Sequence, residues 1–211
     1  MAGPRRKGGD GPSDATRRRI VEAALETLKT EGFSGASARA IARTGDFNQA
    51  LIFYHFGTVN HLLLAALDET SGRRMARYRE AVADVGTLPA LLEVATGLYR
   101  EDLGAGHITV LAELIAGSVT HPDLRAEIAK RVDPWVDLTR DAIDHALAGS
   151  ALVAVLPVAD LAFAIVALYL GIEMLTHLDT NAGRAESLFS AGQQGAALLG
   201  SLMGATTGAR R

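Results

Sequence analysis

Hydrophobic residues recur along this chain at the three- and four-residue spacing of an α-helix. The first clear stripe consists of Ile20, Ala24 and Leu28, which lie one helical turn apart and are flanked by Val21 and Leu25. No run of alternating hydrophobic and polar residues stands between turn signals, as a half-buried strand would require. The pattern therefore predicts an all-α protein of about nine helices.

The first two predicted helices are bounded by capping and turn residues. The first begins near Asp14, which together with Ser13 can cap it, and Gly32 ends it. The second follows Ser37, whose hydroxyl can accept from the free amides of the first turn, and it buries Ile41. It ends at residues 44–46, just before the segment with the most unusual composition in the chain.

The third predicted helix covers residues 49–56 and begins behind Asn48, a strong N-cap. The helical repeat places Phe47, Ile52 and Phe56 on one side. The opposite, exposed side carries Gln49, Ala50, Phe53 and Tyr54. Two helices of about seven or eight residues, joined by a short turn and braced by a longer helix, are typical of a helix-turn-helix motif, whose second helix reads the DNA major groove.

The remainder of the chain is predicted to form a helical body. A long fourth helix spans about residues 59–85, and turn signals at 89, 104–106, 122, 149–157 and 181–183 separate about five more helices. The last two span 160–177 and 184–203. The first of these contains twelve uncharged residues in succession, from 161 to 172, which is shorter than the roughly 20 residues of a membrane span. We therefore expect that this helix is buried against a partner. We expect no association with a membrane.

Composition narrows the class of protein. Cysteine is absent, which excludes disulfides, thiolate metal sites and a cysteine nucleophile. Residues 1–19 lack the apolar segment of a secretion signal, so we expect a cytoplasmic protein. Residues 1–56 carry nine Lys/Arg and six Asp/Glu, a net charge of +3, and the rest of the chain carries −6. A basic N-terminal quarter on an acidic body is typical of a DNA-binding head on a regulatory domain. A basic disordered tail, with charged residues distributed as usual over the rest of the chain, would give the same difference in net charge.

Residues 16–68 resemble the DNA-binding domain of the TetR family of transcriptional repressors. The resemblance is carried by Ile20-Val21-Glu22-Ala23-Ala24, by Glu31-Gly32-Phe33 with Ser37 and Ile41-Ala42, and by Ile52-Phe53-Tyr54-His55-Phe56. It implies a three-helix head that binds DNA and a larger helical body that binds an effector and dimerises. The predicted organisation is a disordered basic tail at 1–13, the head at 14–58, the body at 59–205 and a disordered tail at 206–211.

The resemblance also implies which residues contact DNA. The opening of the recognition helix touches bases in this family, and the residues after it touch phosphate, as do residues at the start of the second helix. The positions implicated are Ser37, Arg39, Asn48, Gln49, Ala50, Leu51, Phe53, Tyr54 and His55. Gln49 can pair with adenine, and the apolar residues can meet thymine methyl groups, so we expect A·T readout near the helix start.

Three positions depart from the family pattern. Asp46 replaces the turn glycine, and Asp tolerates the left-handed conformation better than most residues. Ala40 replaces the acidic residue that would complete a capping box. Val59 replaces a lysine that meets a phosphate, so we expect weaker DNA binding at higher salt.

The resemblance implies a homodimer formed through the last two helices and a small lipophilic effector that releases the operator. Repression rather than activation rests on family analogy alone. The candidate effector contacts are Tyr99, His107, Glu113, Trp135 and Tyr169. We expect no cofactor and no bound metal.

Two other classes of function remain open at this level. An enzyme could use Asp141 with His145, or Glu173 with His177, because each pair is spaced i,i+4. Each is only a pair, and no common catalytic or nucleotide-binding motif accompanies it, so we expect no enzymatic activity. A helical scaffold with a degenerate head is the third possibility, and it predicts that Gln49 and Tyr54 can be replaced without effect on DNA binding.

Overall fold

The computed structural model describes residues 12–105, 107–150, 155–178 and 183–208, and within these ranges every regular element is an α-helix. Side chains are described for 13–102, 109–150, 155–176 and 183–198. The helices of these ranges are α1 (Pro12–Gly35), α2 (Ala38–Gly45), α3 (Ala50–Phe56), α4 (Val59–Val82), α5 (Leu88–Ala105), α6 (His107–Ser118), α7 (Pro122–Ala146), α8 (Val158–Leu178) and α9 (Gly183–Gly208). The all-α prediction is confirmed. The break predicted at residue 89 lies earlier, at 83–87, because Pro89 is in the first turn of α5. Parts of the breaks predicted at 104–106, 149–157 and 181–183 lie outside the described residues.

α1 buries the predicted stripe and is broken where the sequence indicates. Ile20, Ala24 and Leu28 are fully buried, and Gly32 has φ 69° and ψ −178°, a conformation that interrupts the helix. The N-terminus differs from the prediction. α1 begins at Pro12, so Ser13 and Asp14 lie in its first turn and do not precede it. Proline suits the start of a helix because its missing N–H has no helical partner there.

α2 is capped at both ends by the predicted residues. The amide of Ala40 donates to Ser37 Oγ at 3.2 Å, and Ile41 is fully buried. Asp46 ends the helix with φ 50° and ψ 58°, and its amide turns back onto carbonyls of the last turn. Aspartate therefore takes the left-handed position expected of the turn glycine.

The described residues form two compact units. The first runs from α1 to Thr70 in α4 and also contains Glu113–Ile128 from α6 and α7, and the second contains Ser71–Ala112 and the chain from Ala129 onward. The division does not fall at residue 58, because α4 and α6 contribute buried side chains such as Leu62, Ala66 and Leu114 to the first unit. The head at 14–58 remains a proposal about function, and residues 1–11 lie outside the described ranges.

Two helix ends differ from the prediction. α4 ends at Val82 and not at Val85, because the following amides switch to three-residue turns, from Ala83 to Glu80 and from Val85 to Val82. α9 continues to Gly208, so the predicted disordered tail at 206–211 begins too early. Residues 209–211 lie outside the described ranges.

α8 carries an apolar stretch that is longer than the sequence reading allowed. Val158–Thr176 is long and apolar enough to cross a membrane by length and composition, because one charged residue near each end, Asp160 and Glu173, does not interrupt it. The expectation that this helix is too short for a span is therefore wrong. Only 17% of the stretch is buried within the described part of the chain. A single apolar helix of this kind is weak evidence for a membrane span, since helices covered by other protein have the same composition.

Candidate nucleic-acid interface

α3 separates a buried face from an exposed one within two turns. Ile52 is fully buried, whereas Phe53 is 50% exposed and Tyr54 is 82% exposed. Gln49 and Ala50 are also exposed. Because large aromatic side chains normally seek burial, two adjacent rings in solvent indicate a surface that contacts another molecule.

The start of α3 is held by Asn48. Its Oδ1 accepts from the Ala50 amide at 2.9 Å, and its carbonyl accepts from the Leu51 amide at 3.0 Å. Gln49 already has helical backbone angles and makes no side-chain capping bond. The capping role predicted for Asn48 is confirmed, and it leaves the neighbouring Gln49 side chain exposed at the beginning of the helix.

Other predicted DNA contacts lie around the same turn. Ser37 and Arg39 are exposed at the start of α2, and His55 and Leu51 are partly buried on α3. The Tyr54 and His55 rings meet edge to face with centroids 5.0 Å apart. An open surface depression between α2 and α3 is lined by Arg39, Ala42, Arg43, Asp46, Phe47, Asn48 and Gln49.

Two arginines of α1 contact the helix-turn-helix segment, Arg19 at the turn after α2 and Arg17 at the end of α3, and the sequence reading did not assign them. Arg19 Nε donates to the Gly45 carbonyl at 2.9 Å, and its guanidinium also bonds the carbonyl of Asp46. The Arg17 guanidinium lies 4.9 Å from the centroid of the Phe56 ring. The run of arginines at 17–19 is visible in the sequence, but helical periodicity does not indicate the distant segment to which each side chain returns.

Three of the candidate effector contacts come together in the second unit. The Tyr99 and Tyr169 rings meet edge to face at 6.0 Å, and Trp135 meets Tyr78 in the same way at 5.3 Å. The hydroxyls of Tyr78 and Tyr169 are 2.7 Å apart and connect the two pairs. Glu113 lies in the first unit and is not part of this group, and the side chain of His107 lies outside the described residues.

The aromatic group shares Tyr78 and Tyr169 with a set of polar residues centred on the buried Asp102, which the sequence did not reveal. We call Arg74, Arg77, Tyr78, Asp102 and Tyr169 the Asp102 cluster. The buried Asp102 carboxylate accepts from Arg74 Nε at 2.8 Å, from the Tyr169 hydroxyl at 3.2 Å, and from Arg77 and Tyr78. These donors come from α4 and α8 and reach a residue of α5, so no local pattern indicates the cluster.

Burial and charge shift the pKa values in and beside the Asp102 cluster. Burial raises the pKa of Tyr78 to about 12, and the hydrogen bond to Asp102 acts in the same direction. Burial alone would raise the pKa of Asp102, but the Tyr78 hydroxyl and the Arg74 guanidinium lower it overall. Burial raises the pKa of the nearby Glu173 carboxyl to about 8, against the opposing effect of Arg74.

The structure gives little support for a catalytic or metal site at Asp141 with His145 or at Glu173 with His177. Asp141 forms an ion pair with Arg140 at 2.9 Å, and His145 is exposed at the end of α7. The side chain of His177 lies outside the described residues. Among the side chains that are described, no three His, Asp or Glu residues are grouped as a metal site would require.

The fold and the exposed face of α3 define a helix-turn-helix protein. Residues 20–66 match the sequence model of the bacterial regulatory proteins of the tetR family. The regulator UidR of Escherichia coli strain K12 is 27% identical over 116 residues, which cover 55% of this chain and 58% of UidR. The chain therefore spans little more than half of the length of this curated relative.

Solved structures share the whole fold at low sequence identity. A TetR-family regulator from Cytophaga hutchinsonii has a TM-score of 0.74 and 19% identity, over 89% of this chain and 96% of that one. FadR from Bacillus subtilis, solved in complex with stearoyl-CoA, has a TM-score of 0.72 and 15% identity, over 84% and 95%. The match at residues 20–66 marks this segment as similar to the regulatory proteins of the tetR family, and the likenesses to solved structures show that the fold is the one those regulators have.

Proposed function

We propose that the chain is a transcriptional repressor that binds a near-palindromic operator as a homodimer and is released by a small lipophilic effector. The observation that carries the proposal is the exposed face of α3, where Gln49, Ala50, Phe53 and Tyr54 lie opposite the buried Ile52. A short helix that is anchored by one buried side chain and presents an amide and two rings to solvent suits insertion into the major groove. The proposal assigns the chain no catalytic activity and no cofactor.

Each exposed residue has a distinct role in the proposed interface. Gln49 reads adenine through its two-pronged amide, and Ala50 and Phe53 contact thymine methyl groups. Tyr54 and His55 reach phosphate, and Ser37 with Arg39 contacts the opposite strand. Leu51 is partly buried, so it contributes to a base contact only through the part of its side chain that faces the groove. Asn48 acts by holding the helix start, since its carboxamide oxygen already accepts from Ala50.

The operator proposal is tested by selecting bound duplexes from a random DNA pool at low salt. The protein is refolded from denaturant beforehand, which removes any co-purified effector. The wild type should enrich a near-palindrome. Gln49→Ala should relax one base-pair position in each half-site at a cost of about 1–3 kcal/mol. Tyr54→Phe should weaken all selected sites equally, because it removes only a phosphate contact.

Glu26→Ala provides the matched control for this selection. Glu26 is exposed on α1, outside the proposed interface, so its removal should leave the enriched sequence unchanged. Absence of any enriched sequence with refolded protein would contradict the operator proposal. Equal behaviour of the wild type and Gln49→Ala would favour the scaffold alternative.

The proposed dimer uses α8 and α9. Large apolar side chains are exposed on both helices, namely Phe163, Ile165, Leu168, Met174, Leu175, Leu188 and Leu198. A Cβ added at Gly171 or Gly195 would meet no atom within 4 Å, whereas one at Gly192 would meet Leu92 of the same chain. A large exposed apolar surface beside open glycines suits close packing against helices of a second copy. Two heads would then meet half-sites about 34–36 Å apart.

The proposed effector binds in the second unit, beside Tyr99, Trp135 and Tyr169. Tyr99 and Tyr169 pack with the apolar residues Ala185, Phe189 and Ile172, which favours a lipophilic molecule. The Asp102 cluster offers hydrogen-bonding groups for its polar end. FadR was solved with stearoyl-CoA, which makes long acyl chains the first compounds to test. A bacterial regulator of this kind acts in the cytoplasm, which is the location that we propose.

The effector proposal is tested by adding stearate or stearoyl-CoA to the protein and to its complex with the selected operator. A true effector should raise the melting temperature of the free protein by mass action and release the operator over the same concentration range. A compound that raises the melting temperature without changing operator affinity would be a ligand without the proposed regulatory role.

A further inference from the structure

The junction between α1 and α2 is held from outside the first three helices. At Gly32 the backbone leaves helical geometry. The next amide, that of Phe33, therefore needs a hydrogen-bond acceptor other than a carbonyl of the helix. This amide donates to Glu113 Oε2 of α6 at 2.7 Å. A carboxylate that is 80 residues away in the chain therefore satisfies the donor that the break releases.

Glu113 belongs to a face of α6 and its following turn that is shaped for this junction. Gly117, one helical turn later, leaves room for the Phe33 ring, because a Cβ at Gly117 would overlap the ring carbons. The ring of His121 meets Phe33 edge to face at 5.9 Å, and its Nδ1 lies 2.9 Å from the Gly117 carbonyl oxygen. All of these residues lie in the first unit.

A short path of backbone hydrogen bonds connects this contact with the start of α2. The Phe33 carbonyl accepts from the Ala36 amide at 3.2 Å, and the Gly35 carbonyl accepts from the Ser37 amide at 2.7 Å. Ser37 caps α2, and Arg39 follows two residues later. The two proposed phosphate contacts therefore follow directly after the segment that Glu113 contacts at Phe33.

We propose that Glu113 is a positioning residue for DNA binding, which fixes the start of α2 by accepting the hydrogen bond from the Phe33 amide. The inference rests on the proposed DNA-binding function. It gives Glu113 a different role from the effector contact expected from the sequence. It also means that residues 14–58 are incomplete as a DNA-binding head without α6.

Three substitutions separate the acceptor, the charge and the reach of this side chain. Glu113→Gln keeps an acceptor oxygen at the same distance but removes the charge. Glu113→Asp keeps the charge but is one methylene shorter. Glu113→Ala removes the acceptor and the charge. At temperatures well below melting, the Gln variant should bind the selected operator within about threefold of the wild type, and the Ala and Asp variants should bind about tenfold more weakly. Glu26→Ala controls for the loss of one negative charge.

Two further readouts distinguish positioning from general stability. Hydrogen exchange of the Phe33 amide should accelerate in the Ala and Asp variants and stay slow in the Gln variant. Arg39→Ala should reduce operator affinity less in the Glu113→Ala background than in the wild type. The reason is that a displaced Arg39 already makes a weaker phosphate contact, so its removal costs less binding free energy. If the Ala variant does not fold, the comparison of Gln with Asp carries the test.

The possible outcomes separate this inference from the proposed function. A Glu113→Ala or Glu113→Asp protein that melts earlier but binds the operator like the wild type would overturn the positioning role and leave the proposed function intact. Additive effects of Glu113→Ala and Arg39→Ala would also overturn it. A wild-type protein that selects no DNA would remove the proposed function, and the positioning role would fall with it.

Discussion

At the scale of single residues, Asp46 occupies a backbone conformation that costs free energy. Its φ of 50° lies in the left-handed region, where a Cβ crowds the following carbonyl. The conformation persists because the Asp46 amide closes the end of α2 and the Arg19 guanidinium bonds its carbonyl. These contacts use backbone atoms, so they do not require the aspartate side chain.

Asp46→Gly should therefore stabilise the protein by about 0.5 kcal/mol, since glycine adopts this conformation without the Cβ penalty but loses more entropy on folding. The measurement is urea denaturation at neutral pH. Asp46→Asn is the control for the lost charge and should change the free energy of unfolding less than glycine does. A stability at or below that of the wild type for the glycine variant would show that the carboxylate itself contributes to the turn.

Glu173 is a residue whose environment opposes its charge. Its side chain is fully buried, and burial raises its pKa to about 8 from an ordinary value of 4.5. Arg74, at 3.9 Å, offsets part of this effect, and the nearby Asp102 carboxylate adds to it. The folded protein therefore holds the Glu173 proton more tightly than the unfolded chain does. The resulting stabilisation is fully present below about pH 4.5 and is lost as the pH rises through about 8.

Glu173→Gln should consequently become more stable relative to the wild type as the pH rises from 5 to 8.5, by about 1–3 kcal/mol. The glutamine resembles the neutral acid and cannot ionise. Urea denaturation at several pH values measures the difference, and Glu26→Gln, at an exposed position, should show no such trend. A constant difference between Glu173→Gln and the wild type would mean that Arg74 keeps Glu173 ionised throughout this range.

At the scale of elements, α3 depends on the rest of the first unit for its stability. It has seven residues, too few for an independent helix in water, and its one fully buried side chain is Ile52. Its caps are Asn48 at one end and Gly57, with φ 75°, at the other. The exposed rings of Phe53 and Tyr54 contribute little to this packing.

Ile52→Ala should therefore destabilise the protein by about 2–4 kcal/mol, because it leaves a cavity beneath the recognition helix. Phe53→Ala, the neighbouring matched change on the exposed face, should alter the free energy of unfolding by less than about 0.5 kcal/mol and still weaken operator binding. Chemical denaturation and operator titration measure the two effects. A large loss of stability with Phe53→Ala would assign that ring to packing and weaken its role in DNA contact.

At the scale of the whole molecule, the proposed dimer rests on the exposed apolar surface of α8 and α9. Phe163, Leu168 and Leu175 of α8 are each more than half exposed. Burying these side chains against a second copy would contribute about 25 cal/mol of stabilisation for each Å² of apolar surface removed from water.

Leu168→Lys should convert the proposed dimer to a monomer and lower operator affinity sharply, since each head would then bind a half-site alone. Light scattering after size-exclusion chromatography measures the mass. Ala129→Lys, an exposed change on α7, should leave the dimer intact. Dimers that persist in Leu168→Lys would place the interface elsewhere.

Helix existence, breaks and caps follow from the sequence because the forces involved act between near neighbours. The stripe of Ile20, Ala24 and Leu28 repeats every turn, and Ser37 and Asn48 cap amides two or three residues away. Such signals predict the helix-turn-helix segment and the exposed residues of α3. They are less exact at helix ends, as α1, α4 and α9 demonstrate, because the last turns can adopt several hydrogen-bonding patterns of similar free energy.

The sequence by itself thus determined the helical class, the order of the elements and the residues that α3 presents to solvent. Tertiary structure alone decided the contacts between distant residues: Glu113 with the Phe33 amide, Arg19 with the end of α2, and Asp102 with donors from α4 and α8. The physical reason is that a polar side chain has many possible partners until the helices pack. Packing then removes water and selects the partner that lies within hydrogen-bonding distance.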